Sequence, residues 1–329
     1  MPLKSYGVLA GRVVACHREG PQDPTPHYQV HVRAAGVDHR IAVNVKSAQA
    51  PSELRYLVDD DFAHPLTDDL AALSEGWTPL PPEPGGASLD YIRGNLFDPA
   101  QMRLLPADQP GADNDLADLL EGYLVRARDD PQATVFAFGE RWGPDAARPD
   151  PSFGFSPGNG VHDIHMNQGN SEQFAGDDGV WQDGALLLRF AAAPRWVAVF
   201  LAFQSQSWHT DDRTGHSLDV ELEANVRVVA ALVNPTGPAP ENESVTILNV
   251  SPAEVDLTGW SIADRAKRRC PVPPVRLAPG ATLCFPLAEP VQMGNGGGAI
   301  TLLDAEGLKV HGVAYTAGQA RREGWTVVL

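Results

Sequence analysis

Two short stretches of this chain concentrate side chains that can move protons or hold anions. The first is Pro26-His27-Tyr28-Gln29-Val30-His31-Val32, followed after a loop containing Gly36 by Arg40-Ile41-Ala42-Val43-Asn44-Val45-Lys46-Ser47. Polar and apolar residues alternate in both, as in half-buried strands, so His27, Gln29 and His31 share one face, and the polar face of the second carries Arg40, Asn44 and Lys46. Paired as a hairpin, the two would put imidazole, amide and ammonium groups on one surface. That mixture suits phosphate chemistry, with an imidazole as nucleophile or acid and Lys46 and Asn44 as fixed donors to developing negative charge. An exposed sheet face of ordinary polar residues has the same pattern.

The second stretch is Gly158-Asn-Gly-Val-His162-Asp163-Ile-His165-Met-Asn167-Gln-Gly169-Asn170. The run between Gly160 and Gly169 is too short for a helix of its own. As a strand it places Asp163, His165 and Asn167 on one face and His162, Ile164 and Met166 on the other. Asp163, His165 and Asn167 could together hold a divalent metal, with further carboxylates in the loops Asp177 to Asp183 and His209 to Asp212. The spacing matches no EF-hand or zinc-protease signature, and most Asp-Gly pairs are turns. His162, with apolar neighbours on its own face, reads as a core histidine before it reads as a catalytic one. Arg93, in Asp90-Tyr-Ile-Arg93-Gly94-Asn95, is either an anion contact or half of a surface ion pair.

Composition limits the partners. The 329 residues carry 42 Asp and Glu against 25 Lys and Arg, a net charge of −17, and all but one of those excess negative charges lie in residues 1–238. Such a surface repels a phosphate backbone at long range, so general nucleic-acid binding is excluded while a local basic pocket is not. The basic run Arg265-Ala-Lys267-Arg268-Arg269 reads as a solvated loop, or as a contact for an anionic partner. No segment approaches the ~20 apolar residues of a membrane span, and Met1 to Cys16 lacks the apolar core of a cleavable signal. Cys16, Cys270 and Cys284 form neither a disulfide framework nor a cysteine metal site. A reduced, cytoplasmic protein without membrane insertion is the expectation.

Strands are expected at Tyr6–Val14, Tyr28–Val32, Arg40–Val45, Leu54–Val58, Thr134–Phe138, Val161–Asn167, Ala185–Phe190 and Trp196–Phe203, the last apolar throughout as a central strand should be. Helices are expected at Thr67–Ser74, with Thr67 as N-cap, and at Asn114–Arg126, where Leu116, Leu119, Leu120, Tyr123 and Leu124 share one face. The fold class is therefore α+β: a mixed sheet with packed helices over residues 1–234, a Pro/Gly linker at 235–242, and a small β-sandwich over 243–329. The sandwich is read from short β-type runs at Val245–Val250, Gly259–Ala263, Val272–Leu277, Thr282–Leu287, Ala299–Leu303 and Lys309–Tyr315.

The tail resembles the lamin-tail domain through Asn249, Asp256-Leu-Thr-Gly-Trp260, Asp264, Leu277-Ala-Pro-Gly280, Asp304-Ala-Glu-Gly307 and Val313-Ala-Tyr315. That resemblance implies an immunoglobulin-like binding module without catalytic residues, for a protein or another macromolecule. Residues 1 to about 235 resemble the bacterial YukJ family, of unknown function. The segments carrying this are Pro26-His-Tyr-Gln29, Ile41-Ala-Val-Asn-Val-Lys-Ser47, Leu89-Asp-Tyr-Ile-Arg-Gly94, Phe136-Ala-Phe-Gly139, Val161 to Asn170 and Phe203-Gln-Ser-Gln206. The family brings no established activity to carry over. A His-containing strand followed by an apolar one occurs twice, loosely resembling the phospholipase D superfamily, but Gln29 and Ile164 stand where that family's motif has lysine.

Two functional readings follow. One is a phosphodiester hydrolase drawing its catalytic groups from His27, Gln29, His31, Asn44, Lys46, His162, His165 and Asn167, with or without a divalent metal and with an anionic phosphate ester as substrate. The other is a non-catalytic binding or scaffold protein.

Overall fold

The alternating segments of the first two thirds fold as strands: β1 (Tyr6–Arg18), β2 (His27–Ala34), β3 (Val37–Asn44), β4 (Leu54–Asp59), β5 (Gly76–Pro79), β6 (Arg103–Leu105), β7 (Thr134–Asp145), β8 (Gly158–His162), β9 (Gly184–Phe190) and β10 (Arg195–Phe203). Two helices accompany them, α1 (Leu66–Ala71) and α2 (Leu116–Asp129). These come from a computed structural model, which describes residues 5–20, 26–45, 54–80, 94–98, 101–106, 109–162, 184–191, 195–203, 225–237 and 242–329. The chain divides into two compact units, one of Met1–Phe62, Asp69–Leu89 and Ala100–Ser207, the other of Ala63–Asp68, Asp90–Pro99 and Trp208–Leu329.

In the first unit the ten strands form one sheet in the order β5-β1-β2-β3-β8-β7-β9-β10-β4-β6. A further pairing of β1 with β7 closes β1, β2, β3, β8 and β7 into a ring. The sheet is mixed as expected, because β3 and β8 run parallel. Their close approach needs Gly160, where a Cβ would lie 1.8 Å from the carbonyl oxygen of Arg40. The β2–β3 hairpin turns on Ala35 and Gly36, both with positive φ (48° and 82°), the pairing of conformations that suits the right-handed twist of a two-residue hairpin loop. Helix α2 is capped by Asp115, whose carboxylate accepts from the N–H of Asp118 at 2.8 Å. Its buried face, Leu116, Leu120 and Leu124, shares a core with Tyr28, Val30, Val32, Ile41 and Val43. That arrangement buries the apolar face of the hairpin and leaves its polar face for other work.

One helix start differs from expectation. Thr67 is not an N-cap: α1 begins at Leu66, and the Thr67 hydroxyl donates back to the carbonyl of His64 at 2.8 Å. The initiating contact is instead the Leu66 N–H, donated to His64 Nδ1 at 3.0 Å, a role the sequence pattern does not announce.

The second unit is almost entirely β: β11 (Val226–Leu232), β12 (Ser244–Asn249), β13 (Val255–Asp256), β14 (Ser261–Asp264), β15 (Arg269–Pro271), β16 (Arg276–Leu277), β17 (Thr282–Pro286), β18 (Gly297–Leu303), β19 (Lys309–Thr316), the one-turn helix α3 (Ala317–Ala320) and β20 (Val327–Val328). Two four-stranded sheets, β17-β12-β11-β20 and β15-β14-β18-β19, are accompanied by the pair β13–β16. Both larger sheets feed one apolar core, with Val228, Val245 and Ile247 from the first, Ile262, Ile300 and Tyr315 from the second, and Trp260 beside them. Because β11 and β12 pair from Val226↔Asn249 to Leu232↔Ser244, the Asn234–Pro240 stretch joins two strands of a single sheet. The strand Val226–Leu232, which the sequence reading places with the first domain, therefore belongs to the second unit. Proline and glycine announce an irregular connection but say nothing about whether its two flanking strands pair. Of the run expected at Val272–Leu277 only Arg276–Leu277 is strand, as β16, and β15 ends just before it at Pro271. Among the described residues, no helix is long and apolar enough to cross a membrane.

Candidate functional site

The register of β2, β3 and β8 decides which polar groups meet. His27 lies opposite Asn44, Gln29 opposite Ala42 and His31 opposite Arg40, while Ala42 is in turn opposite His162 of β8. Directly paired residues point to the same side of a sheet. His27, Gln29, His31, Arg40, Asn44 and His162 thus occupy one face, and Val161 lies on the core side. This corrects the reading of His162 as a core histidine: its ring centroid is 5.3 Å from that of His27 and 6.5 Å, edge-on, from that of Trp142. The alternation expected from Asp163 to Asn167 lies outside the described residues. What the sequence lacks is the partner strand, which turns the side carrying His162 toward the polar groups of β2.

At one end of this face Glu19 organises the first histidine. Its carboxylate accepts from the backbone N–H of His27 at 2.8 Å and from Gln29 Nε2 at 2.5 Å, and meets His27 Nδ1 at 3.2 Å. Burial works against ionisation of Glu19, but hydrogen bonds from the His27 backbone and the Gln29 amide, together with the His27 ring, outweigh it and hold the carboxyl below its ordinary range. An ionised Glu19 favours the tautomer with the proton on His27 Nδ1, which leaves Nε2 as the basic atom.

Beyond Gln29 the network continues. Arg40 donates from Nη1 to Gln29 Oε1 at 2.6 Å and from Nε to Asp150 Oδ2 at 2.7 Å, and its guanidinium carbon lies 4.8 Å from the centroid of Trp142. Asp150 is fully buried, and its other oxygen accepts from the N–H groups of Ser152 and Phe153. That turn carries Phe153 and Phe155 to the His31 ring, where both stack at 5.2 and 5.3 Å, while His31 Nε2 meets Asp38 Oδ1 at 2.9 Å. Asp38 also takes Arg33 Nε at 2.9 Å, and that bond with the His31 contact holds its carboxyl below the usual range despite some burial.

Chemically, the face divides in two. Gln29, Arg40 and Asp150 bind one another, and His31 is held by Asp38, Phe153 and Phe155, so these groups fix the scaffold, whereas His27 and His162 form a close pair of imidazoles, one of them oriented by a carboxylate. A carboxylate, an imidazole and a second imidazole nearby are the parts of an acid–base site. Glu19, Trp142 and Asp150 carry little signal in the sequence because each reaches the face from a different place: Glu19 from the β1–β2 connection, Trp142 from strand β7 and Asp150 from the β7–β8 connection. The one available signal for Glu19 is its position after β1, facing the start of β2 across the hairpin. Lys46, Asp163, His165 and Asn167, Arg93, and the acidic residues of 177–183 and 209–212 lie outside the described residues. Among the described residues, no group of three or more His, Cys, Asp or Glu is arranged to hold a metal ion.

Comparison with known proteins places this face in a family context. The chain is 44% identical over 215 residues to the Uncharacterized protein YukJ of Bacillus subtilis (strain 168), an alignment covering 64% of this chain and 93% of that relative. Every element of the polar face falls within residues 1–215, which match the family described as Uncharacterized conserved protein (DUF2278), whereas residues 243–329 lie beyond that match. Since that match spans residues 1–215, well over half the chain, the protein belongs to the DUF2278 family.

Proposed function

We propose that the protein hydrolyses an anionic phosphate ester on the β2–β3–β8 face, with His27 as general base and His162 as general acid. The observation that carries this reading is the Glu19-oriented His27 ring 5.3 Å from His162. His27 Nε2 takes a proton from water, the resulting hydroxide attacks phosphorus, the ester P–O bond breaks, and His162 protonates the departing oxygen. Asn44, directly across from His27, would donate to a phosphoryl oxygen. Lys46, His165 and Asn167, with a divalent ion at Asp163, would extend the same site, and a cytoplasmic setting suits it.

The test is turnover of bis(p-nitrophenyl) phosphate by the full chain, with and without added Mg²⁺ or Mn²⁺. Wild type should turn over, with His27→Ala and His162→Ala each slower by about 10²–10⁴-fold. Glu19→Gln should retain intermediate activity. Turnover that is absent, or equal in wild type and His27→Ala, would sink the hydrolase.

A second reading, an anion-binding or scaffold protein, is favoured by a different observation: Gln29, Arg40 and Asp150 are committed to each other. In that case phosphodiesters bind without being cleaved. The second unit fits the lamin-tail-like, immunoglobulin-like sandwich that its sequence resembles, and we assign it a binding role.

A further inference from the structure

Residues 94–98 lie far from the tail in sequence but belong to the second unit, together with residues 63–68. Asn95 is 4% exposed and adopts a left-handed backbone conformation, φ 54°. Its amide nitrogen donates to Thr301 Oγ1 at 3.0 Å and toward the carbonyls of Ile300 and Val313 at 3.2 and 3.3 Å, while its Oδ1 accepts from Lys309 Nζ at 2.6 Å. Both ends of one side chain are therefore read by two strands.

The strands are shaped for it. Thr301 pairs with Gly312 across β18 and β19, and the Asn95 amide sits over that rung. A Cβ at Gly312 would lie 2.0 Å from Asn95 Oδ1 and 2.4 Å from its Cγ, so glycine is required there. The flanking residue is held as well: His64 accepts the Leu66 N–H at Nδ1, which directs the proton on Nε2 to the carbonyl of Gly94 at 3.0 Å. Asparagine suits this notch for two reasons. It tolerates the left-handed conformation better than most residues, and its amide presents donor and acceptor at once. Aspartate would set a carboxylate against two carbonyl oxygens, and glutamine is a methylene too long.

We propose that the β18–β19 ladder is a receptor for a Gly-Asn turn, and that its ligand is residues 94–98 of this chain, bound in cis. The tail is then a peptide-binding unit whose site is already occupied, not an appendage with an empty surface. The ligand lies within the part matched by the family, and the receptor lies beyond it.

Hydrogen exchange on the full chain tests this. In Asn95→Ala and in Asn95→Asp, amides of 297–303 and 309–316 should exchange at least tenfold faster, with β2 and β3 unchanged. Lys309→Met, a milder change, should accelerate them two- to fivefold. Acceleration within twofold of wild type, or equal acceleration throughout the chain, overturns the proposal. A labelled synthetic peptide of residues 90–99, offered at millimolar concentration, should bind the Asn95→Ala chain and not wild type. The same peptide carrying N95D should bind neither. Wild-type peptide that binds both chains alike, or neither, also overturns it.

Discussion

In the first unit a row of polar side chains bind one another: Glu19 to Gln29, Gln29 to Arg40, Arg40 to Asp150. In the second they mainly bind backbone. Asn249 donates to the carbonyls of Ala253 and Leu277 and accepts from Ser251 N–H; Glu243 accepts from Met293 N–H; Asp264 accepts from the N–H groups of Arg268 and Gln292. Side chain to side chain bonds are ordinarily only about 10–15% of a protein's hydrogen bonds. A side chain that binds backbone fixes a turn and does nothing else, whereas a chain of side chains immobilises several functional groups at once. The contrast teaches where several functional groups are held fixed together, and that place is the first unit.

That contrast can be broken from either side. The largest effect is expected from Asp150→Ala, which leaves Arg40, only 11% exposed, without its carboxylate and uncaps the Ser152–Phe153 turn. A loss of about 3–5 kcal/mol is expected in urea unfolding followed by probes in the first unit. Next is Asn249→Ala, which strands two carbonyls and an N–H in the second unit. About 2–3 kcal/mol should be lost there, with β2 and β3 keeping their exchange protection. Equal losses at both sets of probes would erase the distinction.

The third prediction concerns pH. His311 Nδ1 accepts the Val228 N–H at 3.2 Å, and burial, with Arg227 and Lys309 nearby and Asp98 opposing them, depresses its pKa to about 4. The unfolded chain binds this proton near pH 6.5 and the folded chain only near 4, so stability is complete above about 6.5 and falls as pH drops toward 4. For a partly exposed ring we expect a loss on the order of 2 kcal/mol, abolished in His311→Gln. Unfolding midpoints at pH 7 and 4.5 for both chains decide it. The smallest effect is expected from Arg33→Ala: Arg33 is 56% exposed, its bond to Asp38 is a surface one, and the change should stay below about 0.5 kcal/mol.

Local pattern made much of this fold legible. The β2–β3 hairpin, its polar face and the apolar stripe of α2 all follow from alternation and helical spacing, because neighbours in sequence settle them. The ring closure of β1 onto β7 does not, since it pairs residues more than a hundred positions apart. For the same reason the site was half visible. His27, Gln29 and His31 announce themselves by spacing, while Glu19 and Asp150 are single carboxylates among 42 acidic residues and acquire meaning only from the partners that folding gives them. Residues 63–68 and 94–98 carry no mark at all that they belong with the tail.

Asn95 and its partners on β18 and β19 are separated by 205 to 218 residues. A chain grows at roughly 5–20 residues per second. During synthesis the Gly-Asn turn is therefore made on the order of 10–40 s before the last strand that receives it, long enough for the first unit to finish folding. Completion of the second unit then reports that β18 and β19 have both been made, since a ribosome halted before Gly312 leaves Asn95 uncovered.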